Sequence, residues 1–462
     1  MSLAEIASVT GGSSHGDPSL VVTGPVVIDS RRVSPGALFA ALPGEHVDGH
    51  SYASSAVEAG AVAVLASRPV PVPHVVVPDV AEALAALARY VVSRLPEMTI
   101  VGITGSSGKT STKDLTGALL ERRGPTVAPE GSFNNELGLP LTVLRSDLST
   151  RYLVLEMSAR GVGHIAWLCD VARPSIGAVL NVGQAHVGEF GSIDGVAKAK
   201  GELPEALPPS GVAVLNADDP RVLAMTSRTP ARVVTFGLSD PADFGASDVW
   251  LDELARPSFT LRTPDGTAPV KMLLHGAHHV PNALAAAAIA YSLGMPTADI
   301  AAGLSEVTAR SKRRMELHRR SSDDVVVIND AYNANPDSVR AAIDALAHLA
   351  SGSATRGIAV LGYMAELGSS SSEAHLEAGK LAARAGLACV VAVGPDAREI
   401  VSGAGSVAGW AGEAIWVPDN DAAVASLREL LRPSDVVLVK ASRVAALWEV
   451  ADALLEEVPR CR

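Results

Sequence analysis

An α/β protein with more than one parallel sheet is the fold this sequence predicts, and three observations predict it. Strand-like apolar runs alternate with helical patterns from about residue 98 to the end of the chain. Such alternation marks mostly parallel sheets covered by helices. The 462 residues exceed one domain at a prior of about 150 residues each. Finally, 48% of the residues are apolar and only 19% charged, enough to fill several cores.

The elements divide into three regions. Residues 1–97 carry short β-like runs, SLVVTGPVVIDS, AVAVLAS and HVVVP, broken by Pro and Gly, then a helical pattern in VAEALAALARYVVSRL. The Pro-rich RPVPVPHVVVP leads into a strand, because its valines alternate. Residues 98–309 give strand patterns at TIVGI, RYLVLEMS, SIGAVLNVG, VAVLN and RVVTFG, with helices between them, for example SIDGVAKAKGELPEAL. A hairpin follows in SFTLRTPDGTAPVKMLLHG, with Asp265-Gly266 as its expected turn, and then two helices. Residues 310–462 alternate again, from VVVIND and a helix at Pro336 to DVVLVK and a last helix. This third region predicts a second, Rossmann-like doubly wound sheet. There is no internal repeat.

Composition excludes some classes. The formal net charge is −12 and no long basic run occurs, which argues against nucleic-acid binding. The three cysteines, Cys169, Cys389 and Cys461, are widely spaced. They predict a reducing, cytoplasmic setting without structural disulfides. No basic start followed by an apolar core suggests a signal peptide. The apolar stretch at 283–295 is shorter than the roughly 20 residues a spanning helix needs, so a buried helix is expected there and no membrane insertion. The protein is read as a monomer.

The informative stretch is TIVGITGSSGKTSTKDL, residues 99–115. The usual phosphate-loop pattern G-x-x-x-x-G-K-[ST] requires Gly at position 103, which is Ile103. Context still favours a phosphate site. A buried-strand pattern precedes the loop and a helix pattern follows it. Backbone N–H groups and the helix dipole at such a junction favour an anion. Gly105 and Gly108 allow close backbone approach. Lys109 would reach terminal phosphates and the Thr110 hydroxyl would ligate Mg²⁺. In open α/β sheets ligands gather at the carboxyl ends of strands. Glu156 ends one strand and His186 follows another, so both are candidates to share a cation with the loop.

These residues resemble the ATP-dependent Mur ligase family of peptidoglycan precursor synthesis, over nearly the whole chain. TGSSGKTS is similar to that family's own phosphate loop, which accounts for the displaced glycine. NNELGLPLTVL, LEMSARGVGHI, NVGQAHVGEFGSIDGVAKAKGEL, GAHHVPNALAA and INDAYNANPDSVRAAIDAL resemble successive family motifs. DAYNANPDS looks like the branch that adds D-alanyl-D-alanine, and DSRRVSPGALFAALPGEHVDGH resembles its uridine-nucleotide domain. Three positions depart from the family pattern: Tyr363 for Asp, Ala441 for Gly and His279 for Asn.

The resemblance implies a ligase with three domains, 1–97 for the UDP-muramoyl substrate, 98–309 for ATP and 310–462 for the amine. It implies that Gly105, Ser106, Ser107, Gly108, Lys109, Thr110 and Ser111 hold ATP, with Asn282 at the adenine and Arg314 and Asp330 reaching it from the third domain. Two Mg²⁺ ions are implied, on Thr110, Glu156, His186 and a carbamylated Lys200, and Lys109, His186 and Lys200 form the catalytic set. Ser30, Arg31, Asp48, Gly49 and His50 would lie near uridine diphosphate. Asn134, Asn135, Asn333, Asn335 and Ser338 are implied as further substrate contacts. The implied reaction couples UDP-muramoyl-tripeptide to D-alanyl-D-alanine through an acyl phosphate. The alternatives are a sibling ligase adding the third amino acid and a slow ATP-hydrolysing regulatory protein.

Overall fold

A computed structural model describes residues 1–44, 47–129, 131–183, 187–352 and 355–456. The described residues build four sheets. In the first region the sheet runs Ser13–His15, His74–Val76, Ala63–Ala66, Leu38–Ala40, Val26–Val27, parallel apart from its antiparallel first strand. Helices Leu3–Thr10 and Val80–Arg94 pack on one face and Ala53–Glu58 on the other. Here the sequence patterns were least informative. SLVVTGPVVIDS contributes only Val26–Val27 as a strand, since Gly24 and Pro25 break the run. Leu38–Ala40 is a fully buried strand only three residues long, too short to show a period. Leu3–Thr10 is a helix that the pattern did not announce, capped by the Ser2 side chain and closed by Gly11 at φ 66°.

The central sheet runs Arg232–Phe236, Val212–Asn216, Ile176–Val179, Thr99–Thr104, Tyr152–Glu156, Thr126–Val127, all parallel. The strand entering the phosphate loop therefore lies between the strand ending at Glu156 and the strand leading to residues 180–183. That neighbour relation was expected from the sequence. Helix His279–Ser292 is buried from Ala283 through Ala290 and shares a core with helix Lys109–Glu121. An all-round apolar helix must be interior. The small sheet Gly245–Leu251, Pro257–Thr263, Gly266–Lys271 is antiparallel. Its hairpin turn corrects the expectation: Thr263 pairs with Gly266, so Pro264-Asp265 form the turn. Gly266, at φ 135°, begins the returning strand.

The third region's sheet runs Glu316–Arg319, Val326–Asn329, Val436–Lys440, Gly357–Leu361, Cys389–Val393, Glu413–Val417. All neighbours are parallel except the antiparallel edge strand Glu316–Arg319. That edge strand lies inside the basic run SKRRMELHRR, whose charges hid it. Two cores, one on each face, complete the doubly wound arrangement. Cys169 and Cys389 are free and buried, and Cys461 lies outside the described residues. Among the described residues no helix is long and apolar enough to cross a membrane.

Candidate active site

The loop after strand Thr99–Thr104 is shaped by its glycines. Gly108 sits at φ 81° and opens helix Lys109–Glu121. A Cβ at Gly108 would lie 2.4 Å from the Asn282 side-chain oxygen, so only glycine lets Asn282 come this close. The loop is braced from the neighbouring strand end. Ser107 N donates to Asn181 Oδ1 at 2.9 Å, Asn181 Nδ2 donates to Ser107 O at 3.2 Å, and Gly183 N donates to Ser106 Oγ at 2.8 Å. Lys109 curls back and donates to Gly105 O at 2.6 Å. Burial pushes its ammonium down to about 8, opposed by the nearby Glu156 carboxylate and reinforced by Arg314.

Glu156 is 1% exposed at the end of its strand. One oxygen accepts from Asn134 Nδ2 at 3.3 Å, while the other, Oε1, is buried with no partner among the described residues. An unsatisfied buried carboxylate oxygen is costly unless a cation completes it. The Thr110 hydroxyl lies 3.1 Å from Ser132 Oγ. These oxygen donors fit Mg²⁺, which is usually held by one or two protein oxygens with phosphates and water completing its shell. No group of three His, Cys, Asp or Glu side chains that could hold a metal occurs among the described residues. Lys200 is 4% exposed. Burial drives its ammonium well below the usual amine range, and the charge of Lys109 adds to that. His186 lies outside the described residues.

The third region supplies the opposite wall. Arg314 donates to Ser132 Oγ at 2.9 Å and lies 4.4 Å from the Tyr332 ring centroid. Asp330 accepts from Met315 N at 3.1 Å and pairs with Lys440 at 2.6 Å. Lys440 also donates to the carbonyl of Asn333 at 3.0 Å. Asn335 caps helix Pro336–Leu349 in a reciprocal pair with Ser338, and its Nδ2 reaches Ser106 O at 3.4 Å. The Asn335 side-chain oxygen and the Ser338 hydroxyl are thus engaged in the cap, and the Asn335 amide nitrogen in the contact with Ser106.

Between these walls lies a cavity of about 530 Å³. Ser106 through Ser111 line it, with Asn134, Asn135, Glu156 and Asn282 on the central side and Arg314, Asp330, Asn333, Asn335 and Ser338 on the other. Lys200 does not line it. The first-region candidates stand apart from it as well. Arg31 is exposed and paired with Asp29 at 2.7 Å, on the turn that begins at Ser30. His50 Nδ1 donates to Asp48 at 2.6 Å and its Nε2 accepts from Ser67 N at 3.1 Å, which fixes the neutral tautomer. Gly49 passes so close to Leu42 that a Cβ would meet backbone at 2.7 Å.

Sequence reasoning missed Asn181, Ser132, Lys440 and His278, and noted His279 only as a departure from the family pattern. The two imidazoles lie 4.3 Å apart, each with a buried Nδ1 that has no partner among the described residues. Burial holds both neutral, His278 being lowered to about 4. Lys440 ends the predicted strand DVVLVK, and that position was its only available signal. Of the three departures, Tyr363 stacks on His375 at 5.5 Å, Ala441 packs against Gly362, and His279 is this buried imidazole.

Three family models match the chain in order. The model described as Mur ligase family, catalytic domain covers residues 25–92, Mur ligase middle domain covers 103–290, and Mur ligase, glutamate ligase domain covers 313–443. The chain is 48% identical to a UDP-N-acetylmuramoyl-tripeptide–D-alanyl-D-alanine ligase of Mycobacterium bovis, over 99% of this chain and 98% of that protein. A crystal structure of MurF from Acinetobacter baumannii superposes with a TM-score of 0.87 at 29% identity, covering 99% of each chain. MurF ligase from Thermotoga maritima in complex with ADP gives 0.80 at 29% identity, over 94% of this chain and 98% of that one.

Proposed function

The chain belongs to the Mur ligase family, and we propose that it is the ATP-dependent ligase that joins UDP-N-acetylmuramoyl-tripeptide to D-alanyl-D-alanine in peptidoglycan precursor synthesis. One observation carries this reading: the phosphate loop, the buried Glu156 and the third region's basic groups converge on one cavity, in a chain matched end to end by a ligase of that name. Those relatives do not favour the sibling ligase or the regulatory ATPase. The substrates are small and water-soluble, and we place the enzyme in the cytoplasm as a monomer of three domains, 1–97, 98–309 and 310–462.

A carboxylate is a poor acyl donor, so the reaction begins with transfer of the ATP γ-phosphoryl group to the tripeptide's terminal carboxylate. ADP leaves and an acyl phosphate forms. The dipeptide amine attacks the acyl carbon, gives up a proton, and expels inorganic phosphate as the amide forms. The chain contributes position and charge. Backbone N–H groups from Gly105 to Ser111 and the Lys109 ammonium hold the phosphates, Asn282 faces the adenine, and Arg314 closes over them. Thr110, Glu156 and His186 would hold Mg²⁺, with two ions in all, and bound Mg²⁺ neutralises phosphoryl charge. Asp330 fixes the third domain's basic group by pairing with Lys440. Ser30, Arg31, Asp48, Gly49 and His50 shape the loops assigned to uridine diphosphate. Asn134, Asn135, Asn333, Asn335 and Ser338 frame the acyl and amine substrates.

Lys200 is assigned as a carbamylated metal ligand. Its burial and the neighbouring Lys109 favour the neutral amine, the form that adds CO₂ to become an anionic oxygen donor. Lys200→Ala should lose at least tenfold in turnover and recover part of it with added short-chain carboxylates. Native mass spectrometry in bicarbonate should show one added CO₂, lost in the variant. The function itself is tested by phosphate release with UDP-muramoyl-tripeptide. Release should require D-alanyl-D-alanine; release that ignores it would favour a regulatory ATPase.

A further inference from the structure

Two adjacent strands of the third sheet, Gly357–Leu361 and Val436–Lys440, end side by side, with Leu361 opposite Lys440. From there the chain departs in opposite directions. The first strand leads to helix Ser371–Arg384 on one face, and the second to helix Trp448–Leu455 on the other. Divergent exits at carboxyl ends leave a crevice, the usual place for a ligand in an open α/β sheet. Ala365, Glu366, Ser442 and Arg443 line the cavity at this point.

The crevice is built firmly. Ser442 N donates to Tyr363 O at 2.9 Å, and Ala365 N donates to Ser442 Oγ at 2.9 Å. Met364 N donates to His375 Nε2 at 2.9 Å, and His375 Nδ1 donates to Ser371 O at 2.7 Å. Glu366 is held at φ 65°, a conformation that a non-glycine residue keeps only when its surroundings enforce it. Two cations stand here with different roles. Lys440 is 2% exposed and committed to Asp330 and Asn333. Arg443 is exposed, opens the short helix Arg443–Ala445, and its side chain has no hydrogen-bond or ion-pair partner among the described residues. The other cavity cations of the third region and phosphate loop, Arg314 and Lys109, are already engaged, by the Ser132 hydroxyl and the Gly105 carbonyl.

Resting on the proposed ligase activity, we infer that Arg443 is the specificity residue that binds the carboxylate of the incoming dipeptide. The dipeptide must present a free amine to the acyl phosphate and keep its carboxylate away from it. A planar guanidinium on the third-domain wall matches a carboxylate with two parallel hydrogen bonds. Arg160, the other exposed arginine of the cavity, belongs to the central domain and not to the third-region wall that carries Arg443.

The test compares D-alanyl-D-alanine with its C-terminal amide in the wild type, Arg443→Ala, Arg443→Lys and Arg160→Ala. In the wild type kcat/KM should fall roughly 30-fold on the amide, as expected for losing a charged hydrogen-bonded partner. Arg443→Ala should lose a similar factor on the acid and no longer separate acid from amide, while KM for ATP and for UDP-muramoyl-tripeptide holds. Arg443→Lys should retain part of the discrimination and Arg160→Ala all of it. A wild type that uses the amide as well as the acid overturns the inference without requiring any variant to fold. So does full discrimination in Arg443→Ala, or its loss in Arg160→Ala. Absence of all phosphate release with the acid would remove the ligase reading itself, a result distinct from turnover without discrimination.

Discussion

Lys109 and Glu156 hold opposite charges in the same buried setting, and each has a measurable consequence. The Lys109 ammonium titrates near 8 against an ordinary 10.5. Between those values the unfolded chain holds a proton that the folded chain has released, so this group's contribution to stability rises with pH across that window. Phosphates arriving beside Lys109 should restore its proton. Calorimetry of a nonhydrolysable ATP analogue near pH 8, in two buffers of different ionisation enthalpy, should therefore report net proton uptake, lost in Lys109→Ala; uptake unchanged in that variant would remove Lys109 from the phosphate site. Glu156 keeps one buried oxygen without a partner among the described residues. Glu156→Gln should raise Tm by about 2 °C without nucleotide, because a buried carboxylate with one unsatisfied oxygen is removed. It should also lower Mg²⁺-dependent turnover at least 100-fold. A lower Tm would mean that the carboxylate is satisfied in the free protein.

At the scale of elements, the phosphate loop is a strand–turn–helix unit whose shape rests on one glycine. Gly108 combines φ 81° with an approach to Asn282 that leaves no room for a Cβ. Gly108→Ala should cost about 1–3 kcal/mol in denaturant unfolding and displace Asn282 with it, so nucleotide affinity should fall along with stability. Unchanged nucleotide affinity would show that Asn282 acts independently of the loop. This unit was legible in the sequence because its signals are local: an apolar run, two glycines, then a helical period. The braces from Asn181 and Ser132 were not, since the first is 74 residues from its partner Ser107 and the second joins through a loop without periodicity. The hairpin turn was misplaced by one residue for a related reason. Strand register is set by pairing across the sheet as well as by turn composition.

For the whole molecule, the central and third regions meet around the cavity. Arg310 forms a two-pronged pair with Glu121 at 2.7 Å, His348 lies 2.8 Å from Asp252 O, and Gly188 meets Gly368 so closely that a Cβ on Gly188 would lie 2.6 Å from backbone. Gly188 is in helix Val187–Phe190, where alanine is otherwise preferred over glycine by up to about 1 kcal/mol. Gly188→Ala should therefore leave the central domain stable yet hinder the approach of the third. Turnover should fall about tenfold with little change in nucleotide affinity, and scattering with nucleotide and both substrates should show a larger radius of gyration than the wild type. A variant as compact and as active as the wild type would mean that this contact plays no part in closure.

The sequence by itself determined the parallel α/β architecture, the phosphate loop with Lys109 and Thr110, and the placing of Glu156 at a neighbouring strand end, because period, glycine spacing and strand order are short-range properties. Only the tertiary structure decided that Lys200 is buried near Lys109 without lining the cavity, that Asn335 and Ser338 cap a helix, and that Lys440 is paired while the Arg443 side chain has no partner among the described residues. Those outcomes depend on which distant groups share a low-dielectric space, and burial and charge pairing arise only when separate stretches of chain are packed together.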